Sequence, residues 1–318
     1  MHKALVIGLG AIGMEYDYYL DNNFIYTHSK AIYYNDDFEL VGGVDVDYEK
    51  RVSFSNKYNV KSFIDIEIAI KETLPDLIVL SLPTIYHLKV IKEITRICSP
   101  LVILCEKPLG YTLTESIEIK EIIDKKKIKL FVNYFRRSDP GIEKVKQIIS
   151  QNCSSQIKGV VWYTKGLKHN GSHFFNLFEY WFGELIDFKV VSNKKNYRGT
   201  DPEPDVYLTY KNAEIFFSSA WEDSFSYYDI ELLGNFGKII YNMHGEILYF
   251  NIVDDELFNG YKILNKTPSF ITHNNNKYQE DVYNNISLYL KNKKYNLCSL
   301  EQAITTNLNI DKIIKNLN

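Results

Sequence analysis

Short apolar runs mark the first 135 residues: KALVIG (3–8), ELVGGVD (39–45), DLIVLSL (76–82), PLVILCE (100–106) and IKLFVNY (128–134). Apolar side chains on consecutive positions, many of them β-branched, predict strands covered on both faces, as in a parallel sheet. Helical spacing fills the gaps. Residues 84–97 place Ile85, Leu88, Ile91 and Ile94 or Thr95 on one stripe, as a helix packed on a core requires. Residues 112–125 open on Thr112-Leu-Thr-Glu115, a capping box that satisfies two helix N–H groups. The alternation of strand and helix predicts a doubly wound α/β sheet.

Beyond residue 135 the pattern changes. Asp139-Pro140 pairs an N-cap with a proline at the first helical position, predicting a helix to about residue 149. Strands are expected at 157–166, 186–192, 205–210, 214–221 and 227–243, with an apolar helix at 173–182. Helices at 277–292 and 299–316 close the chain, the last turning Ile304, Leu308, Ile310, Ile313 and Ile314 toward a core. This run of strands predicts a mostly antiparallel α+β domain. The expected division is therefore 1–135 and 136–318, with the final helix free to pack back on the first domain.

Bulk properties narrow the function. A chain of 318 residues exceeds one typical core and fits two domains of about 150 residues. With 45% hydrophobic and 24% charged residues it reads as an ordinary globular protein. A net charge of −3 gives no footprint for nucleic acid or anionic membrane, and DKKKIK (124–129) reads as the solvated end of a helix. The cysteines (Cys98, Cys105, Cys153, Cys298) are scattered without C-x-x-C spacing. No zinc or other metal site and no disulfide framework is expected, and a reducing compartment is. LVIGLGAIG is too short and glycine-punctuated for a signal peptide, and no apolar run reaches the roughly 20 residues of a membrane helix. The expected location is the cytoplasm.

The chemistry concentrates at strand ends. Gly8-Leu9-Gly10-Ala11-Ile12-Gly13 follows the first strand directly and precedes a helix, the context in which G-x-G-x-x-G admits a pyrophosphate to backbone N–H groups. Gly8, Gly10, Ala11, Ile12 and Gly13 are thus candidate cofactor contacts. Asp45 ends the second strand, where a carboxylate accepts hydrogen bonds from ribose hydroxyls and repels a 2′-phosphate, favouring NAD over NADP. It lies 32 residues after Gly13 rather than the usual 20 or so. The excess is EYDYYLDNNFIY (15–26), either a surface excursion or a lid over cofactor or substrate. His87, in the first turn of a helix, either is structural or lines the cofactor cleft. Glu106-Lys107-Pro108 puts two charges at the carboxyl edge of the sheet, the edge at which open α/β sheets bind ligands. There a desolvated lysine can act as an electrophile, aimed by a turn at Pro108 that a cis Lys–Pro bond would fix.

In the second domain, KGLKHNGSHFFNLFEYWFG (165–183) carries further candidates. Gly171 is expected to break any helix and Ser172 to cap the next. That puts His173 in the first turn, where a helix N-terminus disfavours the imidazolium and leaves a neutral proton acceptor. Asn176 shares its face. Arg136 or Arg137, with Lys165 or Lys168, is expected at the substrate entrance.

Together these segments resemble the glucose-fructose oxidoreductase / inositol dehydrogenase (Gfo/Idh/MocA) family. GLGAIG looks like its dinucleotide fingerprint. THSKAIYYNDDFELVGGVD (27–45) is similar to its His-Ala-x-Ala…Val-x-Asp stretch, SLPTIYH (81–87) to its T-P-N-x-x-H element, CEKPLG (105–110) to its E-K-P motif, and NYFRRSDP (133–140) to its Arg-Phe-x-Pro segment. The resemblance implies a Rossmann domain followed by an α+β domain with an open sheet, often buried in a homodimer or homotetramer. It implies NAD(P)-dependent hydride transfer at a carbinol of a sugar-type substrate. Ser81, Pro83, His87, Glu106 and Lys107 would serve the cofactor region. Lys107 would also contact the reacting oxygen, and Arg137, Lys168, Asn170 and Asn176 would meet the substrate. The family's D-x-x-x-H pair falls on His169 and His173, so a histidine stands where an aspartate is expected, as acid, base or hydrogen-bond partner.

Overall fold

The computed structural model describes residues 1–152, 156–220 and 225–317, with backbone only at 194 and 195. Cys153 and the predicted strand end at 221 lie outside the described residues. The elements run β1 (His2–Ile7), α1 (His28–Tyr33), β2 (Phe38–Val44), α2 (Tyr48–Tyr58), β3 (Ser62–Phe63), α3 (Ile66–Thr73), β4 (Leu77–Leu80), α4 (His87–Ile97), β5 (Val102–Cys105), α5 (Leu113–Lys126), β6 (Lys129–Val132) and α6 (Pro140–Gln151). There follow β7 (Ile157–Tyr163), α7 (Ser172–Phe182), β8 (Leu185–Tyr197), β9 (Asp201–Tyr210), β10 (Ala213–Ser219), β11 (Asp229–Gly234), β12 (Gly237–Asn242), β13 (Ile247–Phe250), β14 (Ile252–Asp254), β15 (Lys262–Leu264) and β16 (Ser269–Ile271). Then α8 (Tyr278–Leu290), β17 (Cys298–Ser299) and α9 (Leu300–Lys315) end the chain. None of the described helices is long and apolar enough to cross a membrane.

The chain forms two compact units, 1–138 with 275–305, and 139–274 with 306–318. In the first, the strands lie in the order β17-β6-β5-β4-β1-β2-β3, parallel except for β17. Consecutive apolar residues divide between its two faces. Leu5, Ile7, Ile78, Leu80, Ile103 and Cys105 pack with α3, α4 and α5. Ala4, Val6, Leu77, Val79, Val102 and Leu104 face Ala31 and Ile32 of α1 and Phe54 and Tyr58 of α2. This is the doubly wound sheet the apolar runs predict, with its switch of strand order between β1 and β4.

The expected division at 135/136 is corrected by α8. Val282, Tyr283 and Ile286 are buried in the same cluster as α1 and α2, which assigns 275–305 to the first unit. Helix α9 is divided: Leu300 and Ala303 join the first unit's core, Ile310 and Ile313 the second's.

The second unit holds a sheet ordered β16-β13-β12-β11-β7-β10-β9-β8. It is antiparallel except for β7 and β10. Strict alternation along β7, buried at Ile157, Gly159, Val161 and Tyr163 and exposed at Val160 and Trp162, marks a sheet with one face on the core. That core is aromatic: Phe174, Phe175 and Phe178 of α7 meet Tyr163 and Phe217. The expected strand at 227–243 is a hairpin, turning at Asn235-Phe236 between β11 and β12.

Candidate functional site

In the first unit, β1 is followed directly by Gly8 at a φ of 98°, where the glycine loop begins. A Cβ on Gly13 would lie 2.1 Å from the Gly8 carbonyl oxygen, so the protein's own packing forbids a side chain there. Gly10 is different: the nearest atom to its Cβ position is Lys50 Nζ at 3.5 Å. Its bareness leaves backbone open to the cleft rather than relieving a clash. The loop is held from behind. The Ser81 hydroxyl donates to the Gly8 carbonyl at 2.6 Å. Asp45 Oδ2 accepts from Leu9 N–H at 2.8 Å and Oδ1 from Asp47 N–H at 2.9 Å. Asp45 is therefore a clamp on the loop as well as a carboxylate in the cleft.

The cleft beside the loop has a volume of about 710 Å³. Gly8, Gly10, Ala11, Ile12, Asp45, Ser81 and Pro83 line it, as does Lys50. Apolar walls from Val46, Ile64 and Ile66 complete it. A bare peptide, a carboxylate and apolar walls suit the phosphates, ribose and ring of an adenine dinucleotide. The helix expected after the loop is a five-residue π-helical turn, Ala11–Glu15. So short a turn carries little macrodipole, and an anion there would meet individual N–H groups.

Residues 16–27 are a pinned loop. Lys30 is 1% exposed, and its ammonium donates to the carbonyls of Leu20 and Asp21 at 2.9 and 2.8 Å. Asp17, fully buried, accepts from Tyr26 N–H, Thr27 N–H and the Thr27 hydroxyl. Tyr16 lines the cleft, while Tyr19 is exposed.

Around Glu106 the charges are organised. One carboxylate oxygen meets His28 Nε2 at 3.0 Å and accepts from Asn133 at 2.6 Å; the other accepts from Lys107 N–H at 3.2 Å. His28 Nδ1 is 2.9 Å from the Tyr283 hydroxyl. Burial works to raise the Glu106 pKa, but hydrogen bonds from His28 and Asn133 and the charges of His28 and Lys107 outweigh it and hold it low. Lys107 is half-buried, and the Lys107–Pro108 peptide bond is cis.

His87 is fully buried and sits behind the cleft wall. Nε2 is 3.0 Å from the Leu82 carbonyl; Nδ1 lies 3.1 Å from the Leu109 carbonyl and 3.3 Å from Cys105 Sγ. It ties the 82–84 loop to the loop after Pro108. Burial depresses its pKa, and burial raises that of the Cys105 thiol well above the ordinary range.

In the second unit, Gly171 does not break the helix. It adopts φ −54° and ψ −35°, Ser172 is helical too, and a π-helical stretch Gly166–Gly171 runs straight into α7. The helical path begins instead at Lys165 and Gly166, both at positive φ. Its first N–H groups are capped from β9: Gly166 N–H donates to Glu203 at 3.0 Å, Lys168 and His169 N–H to Asp201 at 2.9 and 2.8 Å. Burial raises the Asp201 pKa despite these bonds. Ser172 is thus not a cap, and His173 lies beyond a full turn rather than in a first one, so the dipole argument for its neutrality falls away.

The π-helical stretch also turns the two histidines differently. His173 is 6% exposed; His169 is exposed and its ring packs on Tyr197 at 5.6 Å. Asn170 donates to the Thr164 carbonyl at 3.0 Å. Asn176, fully buried, donates to the Thr306 hydroxyl, which donates to Glu179. Both amides thus hold the helix in place. Arg137 is buried, 5% exposed, in the 3-10 turn Phe135–Ser138, and Lys168 is half-buried.

Several residues in these arrangements were not among those expected from the sequence. Lys50 is one turn into the helix after Asp45, a placement that could have signalled it. His28 and Asn133 reach Glu106 from distant segments. Asp201 and Glu203 cap a helix more than 30 residues earlier, with no local signal.

A glycine loop, a carboxylate and a cleft at the switch point of a doubly wound sheet define a dinucleotide-binding Rossmann protein. The model of the oxidoreductase family with an NAD-binding Rossmann fold matches residues 2–134, and that of its C-terminal alpha/beta domain matches 164–316. The chain belongs to the Gfo/Idh/MocA oxidoreductase family. Among curated proteins, none matches the sequence. Solved structures share the fold at low identity. A dehydrogenase (MviM) from Clostridium difficile is 19% identical with TM-score 0.75, covering 99% of each chain. The WlbA dehydrogenase from Bordetella pertussis, in complex with NADH and UDP-GlcNAcA, is 14% identical with TM-score 0.73, covering 99% of this chain and 95% of that one. A super-repressor mutant of Gal80p from Saccharomyces cerevisiae is 13% identical with TM-score 0.78, covering 99% and 95%.

Proposed function

We propose that the protein transfers a hydride between NAD and a secondary alcohol or ketone of a sugar, one carrying phosphate or a nucleotide. The observation that carries this reading is the buried Glu106 network, which fixes the backbone of Lys107 at the carboxyl edge of the sheet that also bears the glycine loop. Bound NAD supplies the hydride acceptor at its nicotinamide. Asp45 accepts from the ribose hydroxyls and disfavours a 2′-phosphate. Lys107 stabilises the developing alkoxide, and a ring nitrogen of His173 takes the hydroxyl proton. Arg137 and Lys168 meet the anionic part of the substrate. A complex with NADH and a nucleotide sugar in one similar structure supports this substrate class.

Replacing Lys107 by Ala should lower kcat by about 100- to 1,000-fold while the affinity for NAD stays within about threefold; an unchanged kcat would sink the assignment. A free polyol remains the runner-up substrate. The histidine at 169, where the family resemblance implies an aspartate, favours one further reading: a catalytically silent NAD-binding sensor. Purified protein with bound NAD that gives no 340 nm change across sugars and nucleotide sugars would support the sensor.

The reading includes a cytoplasmic homodimer or homotetramer formed through the second unit's sheet. Val160, Trp162 and Phe270 are exposed along its outer face, and a second copy of the chain would cover them. Sedimentation of Trp162→Glu should then shift toward the monomer.

A further inference from the structure

The turn that closes the β8–β9 hairpin carries an unusual residue. Arg198 has φ 50° and Gly199 φ 77°, with Thr200 N–H donating to the Tyr197 carbonyl at 3.2 Å. Hairpin turns with successive positive φ values are cheapest with Asn or Gly at both positions. An arginine there accepts backbone strain that a glycine would remove, and strain of this kind gathers at functional positions.

Its surroundings say what the arginine could serve. The guanidinium lies 5.1 Å from the centre of the Tyr197 ring, which also packs on the exposed ring of His169. A guanidinium over a ring keeps its N–H groups at the edge, where they can pair with phosphate oxygens. Lys168 stands next to His169 in the chain. The neighbouring carboxylates do not oppose an anion at the surface: Asp201 and Glu203 turn inward to the N–H groups of Gly166, Lys168 and His169. Arg198 and the ring of His169 are thus exposed, while Asp201 and Glu203 are spent on backbone N–H groups.

We propose that His169, Tyr197 and Arg198 form a subsite for a nucleoside diphosphate, the ring of His169 stacking on the base and Arg198 pairing with the diphosphate. The subsite would hold the nucleotide part of the substrate, so it rests on the function proposed above and narrows it to nucleoside-diphosphate-linked compounds.

The test is calorimetric titration of the full chain, saturated with NAD, with uridine 5′-diphosphate and with inorganic pyrophosphate. Both should bind. Arg198→Gln and Arg198→Gly should each weaken both ligands by tenfold or more. Arg198→Gly should also match or exceed the wild-type Tm, because glycine suits the turn. His169→Ala should weaken the nucleotide at least fivefold and leave pyrophosphate within twofold. Nucleotide affinity unchanged in both Arg198 variants, or a lower Tm for Arg198→Gly, overturns the subsite. If NAD binds and an uncharged polyol is oxidised while neither probe binds, the subsite fails and the oxidoreductase survives. If the protein does not bind NAD, the underlying reading fails first.

Discussion

The glycine loop of the first unit and the helical start of the second solve one problem by different means. Each must present backbone N–H groups at the beginning of a helical turn. In the first unit the loop is shaped by glycine, with Gly13 pressed against the Gly8 carbonyl and Gly10 left bare. In the second it is shaped by two carboxylates from β9, Asp201 and Glu203, which occupy the N–H groups themselves. The contrast separates open donors, kept for a ligand, from donors already spent on the fold.

The largest expected effect breaks the first region from within. Gly13→Ala would set a methyl group 2.1 Å from a backbone oxygen, a clash that no rotamer relieves. It should cost about 3 kcal/mol, and Tm and NAD affinity should both fall sharply. Gly10→Ala is the sharper half of this test. Its nearest neighbour is a lysine tip at 3.5 Å, so Tm should barely move while NAD affinity falls at least tenfold. A Gly10→Ala protein that binds NAD normally would remove the argument that this position is bare for a ligand.

In the second region the expected loss is smaller and is one of stability. Asp201→Ala leaves the N–H groups of Lys168 and His169 without their acceptor and should cost about 2 kcal/mol. Urea unfolding measures it, and NAD affinity should stay within about twofold. A matching loss of NAD affinity would mean that the two regions are not independent.

The same contrast explains what could be read from the sequence. Backbone chemistry is local. Apolar runs, Gly8 to Gly13, Asp45 at a strand end and the cap at Asp139-Pro140 each carry their cause within a few residues, and the first unit's sheet and α6 follow from them. The signal at Gly171 was also local, and it misled. Glycine tolerates αR conformation, and the true start lay at Lys165, held by carboxylates 33 to 37 residues further along. His87 shows the complementary failure: a first-turn position did not reveal that carbonyls at 82 and 109 would enclose its ring. Helix α8 belongs to the first core because Tyr283 meets His28 across 255 positions, a pairing that no periodicity encodes.

These long-range contacts predict the direction of pH dependence. Burial holds the His87 pKa below its ordinary 6.5, so the unfolded chain binds the extra proton first as pH falls. Its stabilising contribution is complete above pH 6.5 and is lost below it. Glu106 is held below 4.5, so its contribution is present above 4.5 and lost as pH falls through its folded value. Tm should therefore be insensitive to these two groups near neutrality and decline in two stages on acidification. His87→Gln should lower Tm and flatten the first stage. A wild-type Tm that rises on acidification from pH 6.5 would contradict the buried, neutral ring.

The smallest effect belongs to the most legible feature. Thr112 Oγ1 accepts from Glu115 N–H at 3.1 Å, and Glu115 accepts in return from Thr112 N–H at 3.2 Å and Tyr111 N–H at 2.7 Å. This capping box starts α5 only a few residues after Lys107, yet it is exposed and closes on itself. Thr112→Ala should cost about 1 kcal/mol, a Tm decrease of a few degrees in a unit of this size, and Thr112→Ser should restore most of it. NAD affinity and turnover at low temperature should be unchanged, because Lys107 is held from the other side by Glu106, His28 and Asn133. A fall in turnover without a fall in Tm would show that the cap, rather than the buried network, sets the position of the lysine.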